Sequence, residues 1–161
     1  MNNKKQKRAQ YLKQISYYYP YHLEIKIISG ENIIEYLKKR LKLIYTFNTN
    51  TKKSIKFGLN KINKYINKND EKSQILIFIF YKESFTIFYD LIILKNKDNK
   101  NIKIFFLDED YNKDFIDIFN LKSCMGFCIV KNQSNEKVFT EIETKISQYA
   151  INNDLVKDEK V

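Results

Sequence analysis

The chain has little of what most functional signatures are built from. In 161 residues it holds one proline, three glycines, two cysteines, one histidine and no tryptophan. Gly30, Gly58 and Gly126 stand far apart, so there is no glycine-rich loop to cradle a nucleotide's phosphates. Two cysteines do not make a disulfide framework, and with a single histidine they do not make a zinc site. Cys124 and Cys128 are expected to be small core residues, four apart in an extended strand and therefore on one face. A hydroxyl or thiol nucleophile with an imidazole base would have to use His22, which lies in an aromatic N-terminal stretch and reads as structural. There is no apolar run of about 18 residues, so no membrane span is expected, and no secretory apolar region near the start. The acids Asp108, Glu109, Asp110, Asp114 and Asp117 lack the glycine and closing glutamate of a calcium loop. A helix start, whose dipole favours acids, explains them more simply. No catalytic residue, metal ligand or cofactor is expected, and an enzyme is not expected from this chain alone.

What is present is a core and a concentrated charge. Hydrophobic residues make up 43% of the chain, with tyrosine and phenylalanine supplying all of the aromatics. That is enough for one domain with a real core. The net charge is +10, and it is unevenly placed. Between Leu37 and Asn69 there are ten basic residues and no acid, while the nineteen basic and nineteen acidic residues elsewhere cancel. A one-sided excess of this kind implies a surface that meets a polyanion. The alternative is a solvated face in a chain rich in lysine and asparagine throughout.

The apolar pattern alternates between helical and strand-like segments. Residues 1–20 read as a basic arm, whose opening "MNNKKQKRAQYLKQIS" also admits a mitochondrial transit reading. "YYYPYHLEIKII" reads as an extended segment packed on the domain. Ile33, Ile34, Leu37, Leu41 and Ile44 have helical spacing and predict a helix over 31–45. A short strand is expected at 55–57, then a helix from Gly58 with Leu59, Ile62 and Ile66 buried. "QILIFIF" at 74–80 is a continuous apolar run that suits a strand covered on both faces. Residues 84–94 read as a helix capped by Ser84, with apolar residues at Phe85, Phe88, Tyr89 and Ile92. Strands follow at 101–107 and 124–130. Between them comes a short helix carrying Tyr111, Phe115 and Ile118, and after them a final helix through Val138, Ile142, Ile146 and Tyr149. The tail, 151–161, is expected to fray. Helices alternating with buried strands predict one layered α/β domain, over about 21–150.

The basic segment has an unusual helix start. In "KKSIKFGLNKINKYINKN", Asn60, Lys64 and either Asn67 or Lys68 share a face opposite the apolar stripe, with Lys61 on its flank. A helix N-terminus offers unpaired N–H groups and a positive dipole end, both of which favour phosphate. Gly58 removes the Cβ that would keep backbone from a ligand. Asn60 can donate to and accept from base edges, and the lysines supply phosphate contacts. Nothing in these residues alone separates RNA from DNA.

This stretch, with the strand "QILIFIF" after it, resembles the L7Ae-type RNA-binding family. The resemblance spans about residues 31–149. It implies a three-layer α/β/α sandwich around a mixed four-stranded sheet. The family's helix-start pattern is Gly-x-Asn-Glu-x-x-Lys, and Gly58, Asn60 and Lys64 match it, with Lys61 where the family has an acid. In the family these residues hold the sheared G·A pairs of a kink-turn RNA. "FNLKSCMGFCIV" is placed like the loop and strand that complete that site, making Lys122 and Ser123 candidate contacts. The implied RNA-binding set is Lys56, Gly58, Leu59, Asn60, Lys61, Lys64, Lys68, Lys122 and Ser123. An ammonium at position 61 cannot accept from a guanine amino group as a carboxylate does, so either the RNA differs from a standard kink-turn or binding leans more on phosphates.

Within the family the basic N-terminal extension and the "NLKS" approach look most like the Rpp38/Pop3 branch, a protein subunit of ribonuclease P and ribonuclease MRP. That resemblance implies a non-catalytic clamp on structured RNA in a ribonucleoprotein, with other protein subunits as partners and no membrane. It places the protein in the nucleus, in the nucleolus, and in tRNA and rRNA processing. The alternatives are a ribosomal or small nucleolar particle protein of the same type, in the first case in the cytoplasm. A further alternative is a protein-interaction scaffold that kept the fold without the RNA site, docking through "YYYPYHL".

Overall fold

The computed structural model describes residues 26–47, 54–68 and 72–158. The basic arm, Pro20, His22 and most of the aromatic segment lie outside the described residues, as do Lys52 and Lys53. Residues Lys26–Tyr81 and Asn99–Val161 form one compact unit, and Lys82–Asp98 belongs to a second.

The first unit carries a mixed five-stranded sheet. Its strands are β1 (Ile27–Ile28), β2 (Ile55–Phe57), β3 (Ile75–Tyr81), β4 (Ile102–Asp108) and β5 (Gly126–Val130). Their spatial order is β1-β4-β3-β5-β2. β3 runs parallel to β4 and antiparallel to β5, with Phe78 opposite both Phe105 and Phe127. The sheet has one strand more than the four expected. Ile27 and Ile28, inside the segment read as extended and packed, pair in parallel with Phe106 and Leu107 to form it. A two-residue strand is too short to show an alternating pattern, so it left no strand signal.

The helices are α1 (Glu31–Phe47), α2 (Leu59–Lys68), α3 (Thr86–Asn96), α4 (Asn112–Phe119) and α5 (Glu136–Asp158). All five residues of the α1 stripe, Ile33, Ile34, Leu37, Leu41 and Ile44, are buried. They join Leu76, Phe78 and Phe80 of β3, Phe127 and Ile129 of β5, Phe115 and Phe119 of α4, and Phe139, Ile142 and Ile146 of α5 in one core. Phe127 is at its centre, with ring centroids of Phe78, Phe115 and Phe119 at 5.1, 5.6 and 5.5 Å. Successive strand residues point to opposite faces, so Gly126, Cys128 and Val130 face away from this cluster. That other face is where α2 lies, with Leu59 against Gly126. Ile75–Phe80 are all buried, as a strand between two helical layers requires.

Three expectations need correction. Cys124 and Cys128 are both buried and free, but on opposite faces: Cys124 belongs to the α1-side core and Cys128 does not. β5 begins only at Gly126, so strand parity does not extend back to Cys124. Ser84 is not a helix cap, because a 3₁₀ turn over Glu83–Phe85 precedes α3 and places Ser84 inside it. Within that second unit, Phe85 and Phe88 are exposed, together with Leu91. α3 is apolar on every side, so its pattern gave no direction. The final helix also continues to Asp158, with no glycine or proline after Ala150 to stop it.

Candidate nucleic-acid interface

β2 is an edge strand, and it enters α2 through a single residue. Gly58 has φ +85°, a left-handed conformation that residues with a Cβ rarely adopt. Its N–H donates to Gly126 O at 2.9 Å, and its carbonyl accepts the first helical bond from Ile62 N at 3.1 Å. Gly58 is therefore the cap residue. The N–H groups of Leu59, Asn60 and Lys61 have no intrahelical acceptor and form the positive end of α2. A Cβ built on Gly58 would meet nothing within 4 Å. The glycine is needed for its backbone angle, and the space beside it is open.

Gly126 is the residue that seats this helix start, and the sequence reading did not assign it a role. A Cβ there would lie 2.8 Å from Phe78 O and 3.2 Å from Leu59 Cδ2. A glycine keeps Phe78 O of β3 in place and leaves room for the Leu59 side chain of the first turn of α2. The available signal was a lone glycine inside an apolar strand run, which marks close backbone approach.

The side chains of α2 divide as the spacing predicts. Ile62 is buried, Leu59 and Ile66 are half-buried, and Asn60, Lys61, Lys64, Asn67 and Lys68 are exposed. Lys56, from β2, is half-buried.

The loop before β5 reaches the same place. α4 ends at Asn120 in a left-handed conformation, φ 52° and ψ 50°, a standard way to stop a helix. Tyr45 donates its hydroxyl to Phe119 O at 3.2 Å. Asn112 Nδ2 donates to Cys124 O at 2.5 Å, and Phe80 N to Met125 O at 3.1 Å. The loop is thus held at both ends, with Lys122 and Ser123 exposed between them. It runs directly into Gly126, whose carbonyl receives Gly58 N. The structure therefore brings the two predicted halves, helix start and loop, into one neighbourhood.

Ion pairing distinguishes Lys38 and Arg40 of α1 from the lysines of this face. On α1, Lys38 Nζ lies 2.7 Å from Glu35 and 3.2 Å from Asp114, and Arg40 lies 3.1 Å from Glu141. The hydrogen bond to Glu35 is the main cause that raises the Lys38 pKa above 10.5, against the opposing effect of burial. Among the described residues, none of Lys56, Lys61, Lys64, Lys68 or Lys122 makes an ion pair.

The remaining chemistry of the described residues is quiet. Burial pushes the thiols of Cys124 and Cys128 up to about 11 and about 12, so neither is a nucleophile at neutral pH. Asp108 accepts from Asp110 N at 3.0 Å and caps the 3₁₀ turn that leads into α4. No group of three His, Cys, Asp or Glu side chains among the described residues is placed to hold a metal ion. A groove of about 690 Å³ runs along α1 and α5, away from α2. Its lining includes Glu136, Glu141, Lys137 and Lys145, a balanced set with no preference for a polyanion.

A family model described as RNase P subunit Pop3 matches residues 18–153, most of the chain. The chain belongs to the RNase P subunit Pop3 family. Its fold is shared with a solved structure, the 15.5kD RNA binding protein of Giardia lamblia, with a TM-score of 0.57. The likeness covers 81% of this chain and 98% of that one at 18% identity. No curated protein matches the sequence. Among the described residues, no helix is long and apolar enough to cross a membrane.

Proposed function

We propose that this Pop3-family chain is a non-catalytic RNA-binding subunit of a ribonuclease P or MRP particle. It holds a kink-turn-like or internal-loop RNA element between the start of α2 and the loop before β5. The observation that carries this reading is the hydrogen bond from Gly58 N to Gly126 O, which joins a positive, open helix start to that loop. The unpaired lysines of α2 supply the phosphate contacts, and Asn60 is the side chain able to read a base edge. The 15.5kD neighbour is described as an RNA-binding protein, which supports the same use of the fold here. Lys61, in the position where an acid was expected, shifts the balance from base-edge reading toward phosphate contact. Placement in the nucleus and nucleolus, and a role in tRNA and rRNA processing, follow from that assignment.

Crosslinking in cells followed by sequencing of the bound RNA tests it. Ribonuclease P or MRP RNA is the expected species. Recovery of ribosomal or small nucleolar RNA alone would assign the chain to a different particle. Affinity for a kink-turn RNA is expected to fall steeply and log-linearly with salt, as counterion release requires. The exposed Phe85, Phe88 and Leu91 of α3 favour contact with another protein subunit of the same particle. Pull-down in high salt after nuclease treatment should retain such a subunit.

A further inference from the structure

One aromatic side chain on α2 has no part in the site as assigned so far. Tyr65 follows Lys61 by four residues and precedes Lys68 by three, so the three share one flank of the helix. Lys61 and Lys68 are exposed and Tyr65 is half-buried. From β2, Lys56 brings its ammonium over the same ring, 5.8 Å from the centroid. This is near the outer limit of a cation–π contact. Among the described residues Tyr65 stacks on no other ring, and none of the three lysines has an acid partner. Lys56 thus lies over one face of a half-buried ring, and Lys61 and Lys68 border it along the flank of a helix that already presents its positive end.

We infer that Tyr65 is a stacking platform for one unpaired nucleotide beside the helix-start site, with Lys56 and Lys68 taking the phosphates on either side of it. The inference rests on the RNA-binding reading and deepens it. A base stacks on tyrosine through its π-face, which every base has, whereas lysine heads bind phosphate without regard to sequence. With Lys61 unable to accept from a base edge, the flank detects that a nucleotide is splayed out of its helix rather than which nucleotide it is. The ligand class is a structured RNA with at least one unstacked base next to a paired stem.

The chain has no tryptophan, so Tyr65→Trp installs its single indole. Two RNAs with the same stems serve as probes. One contains tandem G·A pairs and a three-nucleotide bulge, and the other is fully paired. Binding of the bulged RNA should quench the indole, and binding of the paired RNA should not. Tyr65→Ala should weaken binding of the bulged RNA by about tenfold, in line with loss of one stacked base. Tyr65→Phe should retain affinity within about twofold, because the ring and not the hydroxyl does the stacking. An equal loss in Phe and Ala variants would overturn the platform in favour of a hydroxyl contact. Full affinity of Tyr65→Ala, beside a clear loss in Asn60→Ala/Lys64→Ala, would overturn the platform and leave the helix-start site standing. If the Asn60/Lys64 variant also binds normally, both fall together. Should Tyr65→Ala not fold, the Trp signal decides: equal emission changes on both RNAs sink the inference.

Discussion

The basic residues of α1 and α2 come from the same acid-free stretch of sequence, Leu37 to Asn69, and the two helices lie on opposite faces of the sheet. Both carry a cluster of basic residues, although α1 also holds Glu31 and Glu35 in its first two turns. In the fold, Lys38 and Arg40 of α1 meet Glu35, Asp114 and Glu141, two of which come from α4 and α5. Lys61, Lys64 and Lys68 of α2 meet no acid among the described residues. A local excess of charge becomes a binding surface only where tertiary neighbours fail to neutralise it. The helix start adds a second difference. α2 opens on Gly58, with free N–H groups and open space beside it, whereas Gly30, just before α1, has the Tyr149 ring across the position a Cβ would take.

The comparison can be broken most directly by mutating both faces. Asn60→Ala/Lys64→Ala should lower affinity for a bulged RNA by about 100-fold, as expected for loss of a base-edge and a phosphate contact. Lys38→Ala/Arg40→Ala should cost less than about threefold, since Lys38 is already engaged by Glu35 and Asp114 and Arg40 by Glu141. Equal losses, measured by fluorescence anisotropy at one salt concentration, would mean that the whole segment acts as a diffuse basic surface.

The seat of α2 gives the next effect. Gly126→Ala forces a Cβ against Phe78 O and should destabilise the fold by about 2 kcal/mol, an overpacking cost. Gly58→Ala meets no neighbour but keeps a left-handed angle, and should cost about 1–2 kcal/mol. Urea denaturation separates the two, and an order reversed from this one would contradict the close approach of Phe78 O to Gly126.

The two buried thiols sample the two faces by pH. Each has an ordinary pKa of 9.0 and is pushed up by burial, Cys124 to about 11 on the α1 side and Cys128 to about 12 on the α2 side. Above pH 9 the unfolded chain releases thiol protons that the folded chain keeps. Stability is therefore whole below pH 9 and falls as pH rises, on the order of 1 kcal/mol per pH unit for each thiol. Cys128→Ala should keep the Cys124 share of that slope and lose its own, and Cys124→Ala the reverse. A slope unchanged in both variants would show that the thiols are not the groups titrating.

The smallest effect belongs to Lys38. Replacing it with methionine should cost about 0.5 kcal/mol at neutral pH, the range of a surface ion pair. Its pKa is raised above 10.5, so the contribution is present below that value and lost as pH climbs past the raised one. A cost that persists beyond that alkaline range would mark apolar packing of the lysine stem as its source.

Much of the fold was legible because periodicity survives without context. The α1 stripe from Ile33 to Ile44 and the unbroken run of β3 each meet a requirement that holds whatever they pack against. α3 was legible as a helix but not in direction, because a helix apolar all round has no face to read. The two cysteines were legible as core residues and misplaced by face, since one lies beyond the end of its strand. At the site, Gly58, Asn60 and Lys64 stood out through their spacing. Gly126 and Tyr65 did not, because the role of each depends on a partner in another element: Phe78 of β3 for one, Lys56 of β2 for the other.

By itself, then, the sequence determined a layered α/β core and a basic helix that begins on glycine. These follow from spacing and composition, which act along the chain. That, among the described residues, Lys38 and Arg40 are compensated while the lysines of α2 are not was decided by tertiary structure, because the acids that neutralise the first two include residues more than seventy positions away. Tertiary structure also decided that the helix start and the loop before β5 form one site, because only the pairing of β2 with β5 brings Gly58 against Gly126.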